Sequence, residues 1–599
     1  MRRLLVLLIL LVAAAIAAGV VYSQRGGTNS PGRATTTTGK TVKADPARLA
    51  AQRFVTAWSA GADSRAAAQT NHPGLATSAL AVNRKGLDGA SVSAGIIAID
   101  TVKRGSTVRL RVTWNLGGYG KWTSRTTMRL RRLTSRRWVV LWSPKIVYAG
   151  LTSATRLGTD RIDPVRAPIL DRAGKAIIAP RPVVQVGLER DKVHDVTASA
   201  TALAKLLKID APSYIHQVRG AGPVEFVIAE TLRPADYARI ATKLKAIPGS
   251  ISNNATLPLG PSFGFARALL GAVAPATAEQ ITRSHGALQV GDDIGQWGLE
   301  NEYNKHLAGS QDISIIIRSR ATGDALSTLE VKQGRRPVPL RTTLSTRDQN
   351  AAETALGSST APSAIVVEQP SSGDILAVAD RPISSTFDRA LAGAYAPGST
   401  FKVITTTSLL EHGFDPGSAV PCPTTITVDG RVFRNFEGES GESSSFDEDF
   451  AISCNTAFIS LAPKLSATDL PKTALEFGLG RNAHLPFGAA SSHVPKGGDA
   501  VSRAAMMIGQ DRIVVTPLAM AGVAATVANG RWRQPRLLTT DPKVAGPPVS
   551  ATDLNTVRSL MRLVVTQGTG SALASTPGEP RCKTGTAEFG TGTPPPTHA

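Results

Sequence analysis

An uncharged stretch near the start of the chain, "LLVLLILLVAAAIAAGVVY", runs from Leu4 to Tyr22 and covers 19 positions. As a helix it is long enough to cross roughly 30 Å of hydrocarbon. Arg2 and Arg3 precede it, a bias that keeps the N-terminus cytoplasmic and exports the bulk of the chain. Small residues near Ala17 to Gly19 would also suit a signal peptidase. An uncleaved anchor and a cleaved signal both fit, and the length of the run favours the anchor. No second apolar run of that length occurs in the 599 residues. The remainder is expected to fold as several water-soluble domains, because one core rarely grows to this size.

After the run, "SQRGGTNSPGRATTTTGKTVKADP" (Ser23 to Pro46) is rich in Gly, Thr, Ser and Pro, the composition of a flexible tether. The formal net charge of +22 would suit nucleic acid. No zinc spacing, recognition-helix signature or aromatic-basic interleaving accompanies it, so no nucleic-acid partner is expected. The charge fits work beside an anionic membrane surface or polymer. Cys422, Cys454 and Cys582 are an odd, sparse set, which is no disulfide framework. They read as small buried thiols. No histidine lies near enough to complete a metal site, so neither metal nor cofactor is expected.

Along the chain, "ARLAAQRFVTAWSAG" carries Leu49, Phe54 and Trp58 at helical spacing. Strands follow: Val108, Leu110, Val112 and Trp114 alternate with Arg109, Arg111 and Thr113, and Trp138, Val140 and Trp142 alternate likewise. Such alternation buries one face of an antiparallel sheet and leaves the other, arginine-bearing face in solvent. Further on, "RAPILDRAGKAI" predicts a short strand and a tight turn at Ala173-Gly174, and "GQWGLENEYNKHLAGS" predicts a helix striped by Leu299, Tyr303 and Leu307. "LRTTLSTRDQNAAETAL" reads as a strand, then a helix from about Asp348, and "SAIVVEQPSSGDILAVAD" reads as a hairpin.

Three short polar motifs carry the chemistry. In "GAYAPGSTFKVITTTSLLEHG", Ser399 and Lys402 stand three residues apart behind a Pro-Gly pair. The serine could be an ordinary helix cap or a nucleophile with a base one turn away. In "FDEDFAISCNTAFISLA" an apolar helical stripe of Phe450, Cys454, Ala457 and Leu461 is flanked by Ser453 and Asn455. In "PRCKTGTAEFG", Lys583, Thr584, Gly585 and Thr586 read as a short strand whose lysine and hydroxyl could hold a carboxylate. The glycine would let a substrate backbone approach.

In chain order, Ser-x-x-Lys at 399, Ser-x-Asn at 453 and Lys-Thr-Gly at 583 match the signature of penicillin-interacting serine acyltransferases. With "RAPILDRAG", "GLENEYNKHLAG", "TTLSTRDQNAAE", "EQPSSGDILAVA", "NFEG", "FGLG" and "IGQDRIVVTPLAMA", the chain resembles a class B penicillin-binding protein over nearly its whole length. Where the family's junction motif has Arg-Gly, this chain has Arg166-Ala167. The resemblance implies a multidomain α+β protein. Its parts are a membrane helix at 1–22, a linker at 23–46, an NTF2-like α+β module at 47–150, a mixed pedestal (dimerisation-type) domain at 151–335 and a transpeptidase domain at 336–599, with an antiparallel sheet flanked by helices.

It further implies that Ser399 attacks the penultimate D-Ala of a D-Ala-D-Ala stem peptide, with Lys402 as base. Ser453 relays a proton to the leaving amine, and Asn455 positions the substrate amide and Lys402. Lys583 and Thr584 bind the terminal carboxylate, and the N–H groups of Ser399 and Thr586 form the oxyanion hole. β-Lactams would acylate the same serine. The implied setting is the bacterial cell membrane, single-pass, with the catalytic domain outside and a membrane glycan polymerase as partner. A D,D-carboxypeptidase and a non-catalytic penicillin-binding sensor are the alternatives. A class A β-lactamase would need a Glu-x-x-Leu-Asn segment after Ser453, and none occurs. In the family another strand and a helix follow the Lys-Thr-Gly strand. Here "AEFGTGTPPPTHA" follows Thr586, so both are expected to be missing. An incomplete sequence is favoured over a natural truncation, and a longer chain is the expected active enzyme.

Overall fold

The computed structural model describes residues 45–103, 105–134, 137–284, 288–436, 445–486, 488–588 and 597–598. The apolar run at Leu4–Tyr22, nearly all of the tether and most of the segment after Thr586 lie outside the described residues. Among the described residues, no helix is long and apolar enough to cross a membrane. Chain contacts divide the protein into one unit of residues 1–159 with 315–329, and a second of 160–314 with 330–599.

The first unit begins with helix α1 (Pro46–Ser59), whose N-terminus is capped by the Asp45 carboxylate accepting from Ala47 N–H at 2.9 Å. Two more helices, α2 (Asp63–Ala67) and α3 (Pro73–Gly86), lead into an antiparallel sheet in the order β1 (Ser91–Val102), β2 (Gly105–Asn115), β3 (Lys121–Arg132), β4 (Trp138–Leu141). Val108, Leu110, Val112 and Trp114 are all fully buried. Trp114 meets Trp58 of α1 edge-on, with ring centres 6.0 Å apart. Phe54 and Trp58 point inward as expected, but Leu49 is 47% exposed. The small residues Ala47, Ala50 and Ala51 occupy the buried stripe instead, which brings the helix closer to the sheet.

In the second unit a long strand, β6 (Ala176–Glu189), follows the two-residue β5 (Ile169–Leu170) and pairs antiparallel with both β7 (Phe226–Leu232) and β8 (Ser250–Leu259). Helices α4 (Val196–Leu207) and α5 (Ala211–Gly220) cover it through Leu203, Tyr214 and Val218, packed on Val186 and Leu188. The expected helix around Leu299 is split into two short turns, Gly298–Glu302 and Asn304–Ala308, by a non-helical Tyr303. The split serves Arg166, whose guanidinium pairs with the buried Glu300 carboxylate and donates to Asn304 Oδ1 at 2.8 Å. Leu299 and Leu307 still face inward.

Next come β9 (Leu340–Arg341), parallel to β5, and α6 (Thr346–Leu356), capped by Ser345 and starting two residues before the expected point. The hairpin of β10 (Ser363–Gln369) and β11 (Asp374–Arg381) forms as read from the sequence. The core of this region surrounds α7 (Lys402–Glu411), in which every residue from Lys402 to Leu409 is buried. Phe446, Phe450, Phe458, Val557 and Val564 pack around it. A helix buried all round has no solvent face, and its hydroxyls are satisfied unevenly: those of Thr406 and Ser408 have no hydrogen-bond partner among the described residues, whereas others bond within the protein. Thr405 does so by donating to Met507 O at 2.9 Å.

One buried acid has a thermodynamic consequence. Neither carboxylate oxygen of Glu368 in β10 has a hydrogen-bond partner, and burial, helped by Asp374, pushes its carboxyl up to about 8. In an unfolded chain the group ionises near about 4.3. Between those values the folded chain keeps a proton that the unfolded chain has released, so stability falls as pH rises through that window. Glu368→Gln is expected to raise the melting temperature at alkaline pH, where it removes an ionisation cost of up to about 5 kcal/mol, and to do little near about pH 4. Melting curves across that range check this. An equal effect at both ends would mean that ionisation of Glu368 is not the cause.

Candidate active site

A single turn of 3₁₀ helix (Gly398–Phe401) precedes α7 and carries Ser399, which is 9% exposed. In 3₁₀ geometry residues three apart eclipse, which sets Ser399 over Lys402. Lys402 is fully buried, and its Nζ donates to Asn455 Oδ1 and to Ser453 O, each at 2.7 Å, and to Ser453 Oγ at 3.3 Å. Lys583 Nζ approaches Ser453 Oγ from elsewhere at 2.9 Å and also donates to Thr584 O at 3.1 Å. Ser399, Ser453, Asn455, Thr584, Gly585 and Thr586 all line one cleft of about 1060 Å³. The three motifs, far apart in sequence, thus converge.

Two local expectations are corrected. The segment after Phe446 is not one continuous helix. α8 (Phe446–Ile452) ends at Ser453, which sits in the left-handed region at φ +66°, and α9 (Asn455–Ser460) restarts behind it. The break turns Ser453 Oγ and Asn455 Oδ1 both toward Lys402, which an unbroken helix would not do for residues two apart. Among the described residues the Lys583–Thr586 segment, in turn, has no regular strand pairing; Ala587–Glu588 pairs with Thr597–His598.

What holds that segment is contact with the turn that carries Ser399. A Cβ on Gly585 would lie 3.0 Å from Thr400 N, and one on Gly398 (φ +53°) would lie 2.5 Å from Thr586 O. A Cβ on Gly509 would lie 2.1 Å from Gly398 O, the same backbone that donates from Gly398 N to Gly509 O at 3.1 Å. The glycine of Lys-Thr-Gly is therefore needed for chain-to-chain packing, whatever it also allows a substrate to do.

The cysteine expectation is corrected as well. Cys422 and Cys454 form a disulfide, with Cα atoms 6.1 Å apart, while Cys582 is free. Cys454 lies between Ser453 and Asn455, so the bridge ties that motif to the 420s loop. Asp449 lies beside the two sulfurs, but bonded sulfurs have given up the thiolates that a metal would need.

Two further residues act here without having been assigned a role from sequence. Asn435, buried, accepts from Asn455 N at 2.8 Å and Thr456 N at 3.0 Å, and donates to Pro423 O at 3.0 Å. It caps α9 from another loop, and its place in "NFEG" was the available signal. Thr569 shares a 2.6 Å hydroxyl–hydroxyl bond with Thr584, and its N–H donates to Ala451 O at 3.2 Å. It follows Gly568, where a Cβ would sit 2.0 Å from Ala451 O.

Residues 161–340 match the penicillin-binding protein dimerisation domain, and residues 363–598 match the penicillin-binding protein transpeptidase domain. Fold and site together define a penicillin-binding transpeptidase domain carried on a dimerisation-domain pedestal. The chain belongs to the class B penicillin-binding proteins. It is 37% identical over 240 residues to the peptidoglycan D,D-transpeptidase PbpA of Mycolicibacterium smegmatis, covering 36% of this chain and 48% of that one. Penicillin-binding protein 3 of Bacillus subtilis is 23% identical over 447 residues, 68% of this chain and 65% of that one. The chain spans about half the length of the PbpA it matches. Among solved structures, the complex between penicillin-binding protein PBP2 and MreC from Helicobacter pylori has a similar fold, with a TM-score of 0.55 at 21% identity over 72% of this chain and 90% of that one.

Proposed function

We propose that the chain is a serine-type D,D-transpeptidase that cross-links D-Ala-D-Ala stem peptides and is acylated by β-lactams at the same serine. The observation that carries this is Ser453 Oγ, placed to accept from Lys402 and Lys583 together. With both of its lone pairs occupied, the hydroxyl has its own hydrogen left to give, and the cleft holds the leaving group.

Ser399 Oγ attacks the carbonyl carbon of the penultimate D-Ala as its proton passes to Lys402. The 2.7 Å bonds from Lys402 Nζ to Ser453 O and Asn455 Oδ1 fix the nitrogen where it takes that proton and can then donate it toward Ser453 Oγ at 3.3 Å. The N–H groups of Ser399 and Thr586 stabilise the oxyanion by about 3 kcal/mol each. The C–N bond to the terminal D-Ala then breaks, and the departing amine takes a proton from Ser453, which Lys402 replaces. An amine of a second stem peptide attacks the ester, its proton returns by the same path, and Ser399 is released. Lys583 and Thr584 hold the terminal carboxylate, and Asn455 orients the substrate amide and Lys402.

Further parts of this reading are a single membrane anchor at residues 1–22, an extracytoplasmic catalytic domain, an NTF2-like module at 47–150 and a membrane glycan polymerase as partner. The Cys422–Cys454 disulfide supports the external setting, since such bonds persist in oxidising compartments. That a relative in fold has been solved in a complex with MreC supports a protein partner. The test supplies donor and acceptor stem peptides and measures cross-linked dimers against free D-Ala. Dimers are expected; D-Ala released without dimers would make the enzyme a carboxypeptidase, and no release at all would make it a sensor.

Thr569 gives a finer test. If Thr584 donates to the substrate carboxylate, its oxygen is left to accept from Thr569. Thr569→Val should then weaken capture of carboxylate-bearing substrates about 2- to 10-fold, and Thr569→Ser should restore it. A substrate ending in a carboxamide should not respond. Equal losses for both substrates would reduce Thr569 to a packing role.

A further inference from the structure

The sheet of the first unit has a solvent face whose charge its own packing does not require. Arg109 and Arg111 of β2, and Lys121, Arg125, Arg129 and Arg131 of β3, are exposed, while the alternate residues are buried. The register sets Arg111 directly opposite Arg125, a like-charge pair at close Cβ spacing that destabilises a sheet. Across β1, β2 and β3 Asp100 is the single acidic residue, and it reaches Arg109 only at 3.8 Å between exposed side chains. At the end where β1 turns into β2 and β3 turns toward β4, two apolar side chains stand in solvent: Val102, 71% exposed, and Leu133, 45% exposed. They are flanked by Lys103, Arg131 and Arg132.

A cationic face with apolar residues at its tip combines the two forces that hold proteins at an anionic lipid surface, charge attraction and shallow apolar burial. A soluble polyanion would use the arginines but would have no use for Val102 and Leu133. Proximity is available from the sequence. The 24 residues Ser23–Pro46 separate this unit from the apolar run, and a chain of that length spans at most about 85 Å when fully extended.

We propose that this sheet face and its Val102/Leu133 end dock the first unit on anionic phospholipid. The repulsion between Arg111 and Arg125 is relieved by lipid phosphates when docked. The inference does not rest on the transpeptidase reading, and it would survive that reading's failure.

The test uses the full chain with Cys582→Ser and a fluorophore on Thr127→Cys, in the middle of the face. It is reconstituted with vesicles carrying a nitroxide on the headgroup, made of phosphatidylglycerol and phosphatidylcholine or of phosphatidylcholine alone. Quenching should be several-fold greater with the anionic vesicles and should fall as salt shortens the screening length. It should also be lost in Arg125→Glu/Arg129→Glu and reduced in Val102→Ser/Leu133→Ser. Because Arg125→Glu turns a like pair into an opposite one, its melting temperature should equal or exceed that of the parent, so unfolding cannot account for lost docking. Flotation of every variant on both vesicle types reads insertion of the apolar run separately. Equal quenching on neutral vesicles, no change in the double arginine variant, or a lowered melt for Arg125→Glu would each overturn the proposal. Binding to soluble polyglycerol phosphate with no lipid quenching would overturn it in favour of a polymer.

Discussion

Ser399→Ala is expected to abolish covalent labelling by fluorescent penicillin while leaving the thermal melt unchanged. On the proposed mechanism the acyl bond forms at the Ser399 oxygen in the cleft beside Ser453 and Thr586, and removing a nucleophile from such a set costs at least on the order of 10⁴-fold in rate. Ser399 bears little structural duty. The backbone of its turn is held through Gly398 and Gly509, and alanine suits the 3₁₀ conformation. Mass mapping of the labelled parent chain should place the adduct on Ser399. An adduct on another residue, or residual labelling of the variant at the parent rate, would sink the assignment.

Removing the disulfide should produce the second large effect, this time on stability. Cys422 and Cys454 are separated by 32 residues. Closing a loop of that size is worth roughly 3–4 kcal/mol on chain-entropy grounds, or roughly 5–10 °C in melting temperature. Cys422→Ser/Cys454→Ser and the reduced parent chain should melt alike, and both below the oxidised parent. Acylation should slow as well, because the bridge anchors the residue between Ser453 and Asn455. The slowing should be partial, since Asn435 still holds the N–H groups of Asn455 and Thr456. Identical melts for oxidised and reduced chains would show that the Asn435 and Thr456 bonds suffice.

Much of this was legible from sequence where a pattern is repeated along one element. The alternation of Val108, Leu110, Val112 and Trp114 specified a half-buried strand, because a pleated strand turns every second side chain to the same face and a helix does not. The hairpin over 363–380 was readable for the same local reason. The motif set also named the residues that meet in the cleft, since their order alone carries the family resemblance. The α1 stripe was misread because three alanines bury more effectively than one leucine when a helix lies close to a sheet.

What sequence could not supply were the contacts made by backbone. Gly398, Gly509 and Gly585 come from three separate segments, and nothing local to any of them says that Gly585 packs on Thr400, Gly398 on Thr586 or Gly509 on Gly398. The left-handed turn at Ser453 interrupts an apolar stripe that reads as one helix, because Phe450, Cys454, Ala457 and Leu461 are buried on either side of the break. The cysteine count argued against a bridge, yet pairing depends on the 420s loop being folded over α9 by Asn435 and Thr456. By itself the sequence determined which polar motifs are candidates for the chemistry and most of the local elements that carry them. Only the tertiary structure decided how they meet, because periodicity records which residues are buried and holds no record of which distant backbones touch.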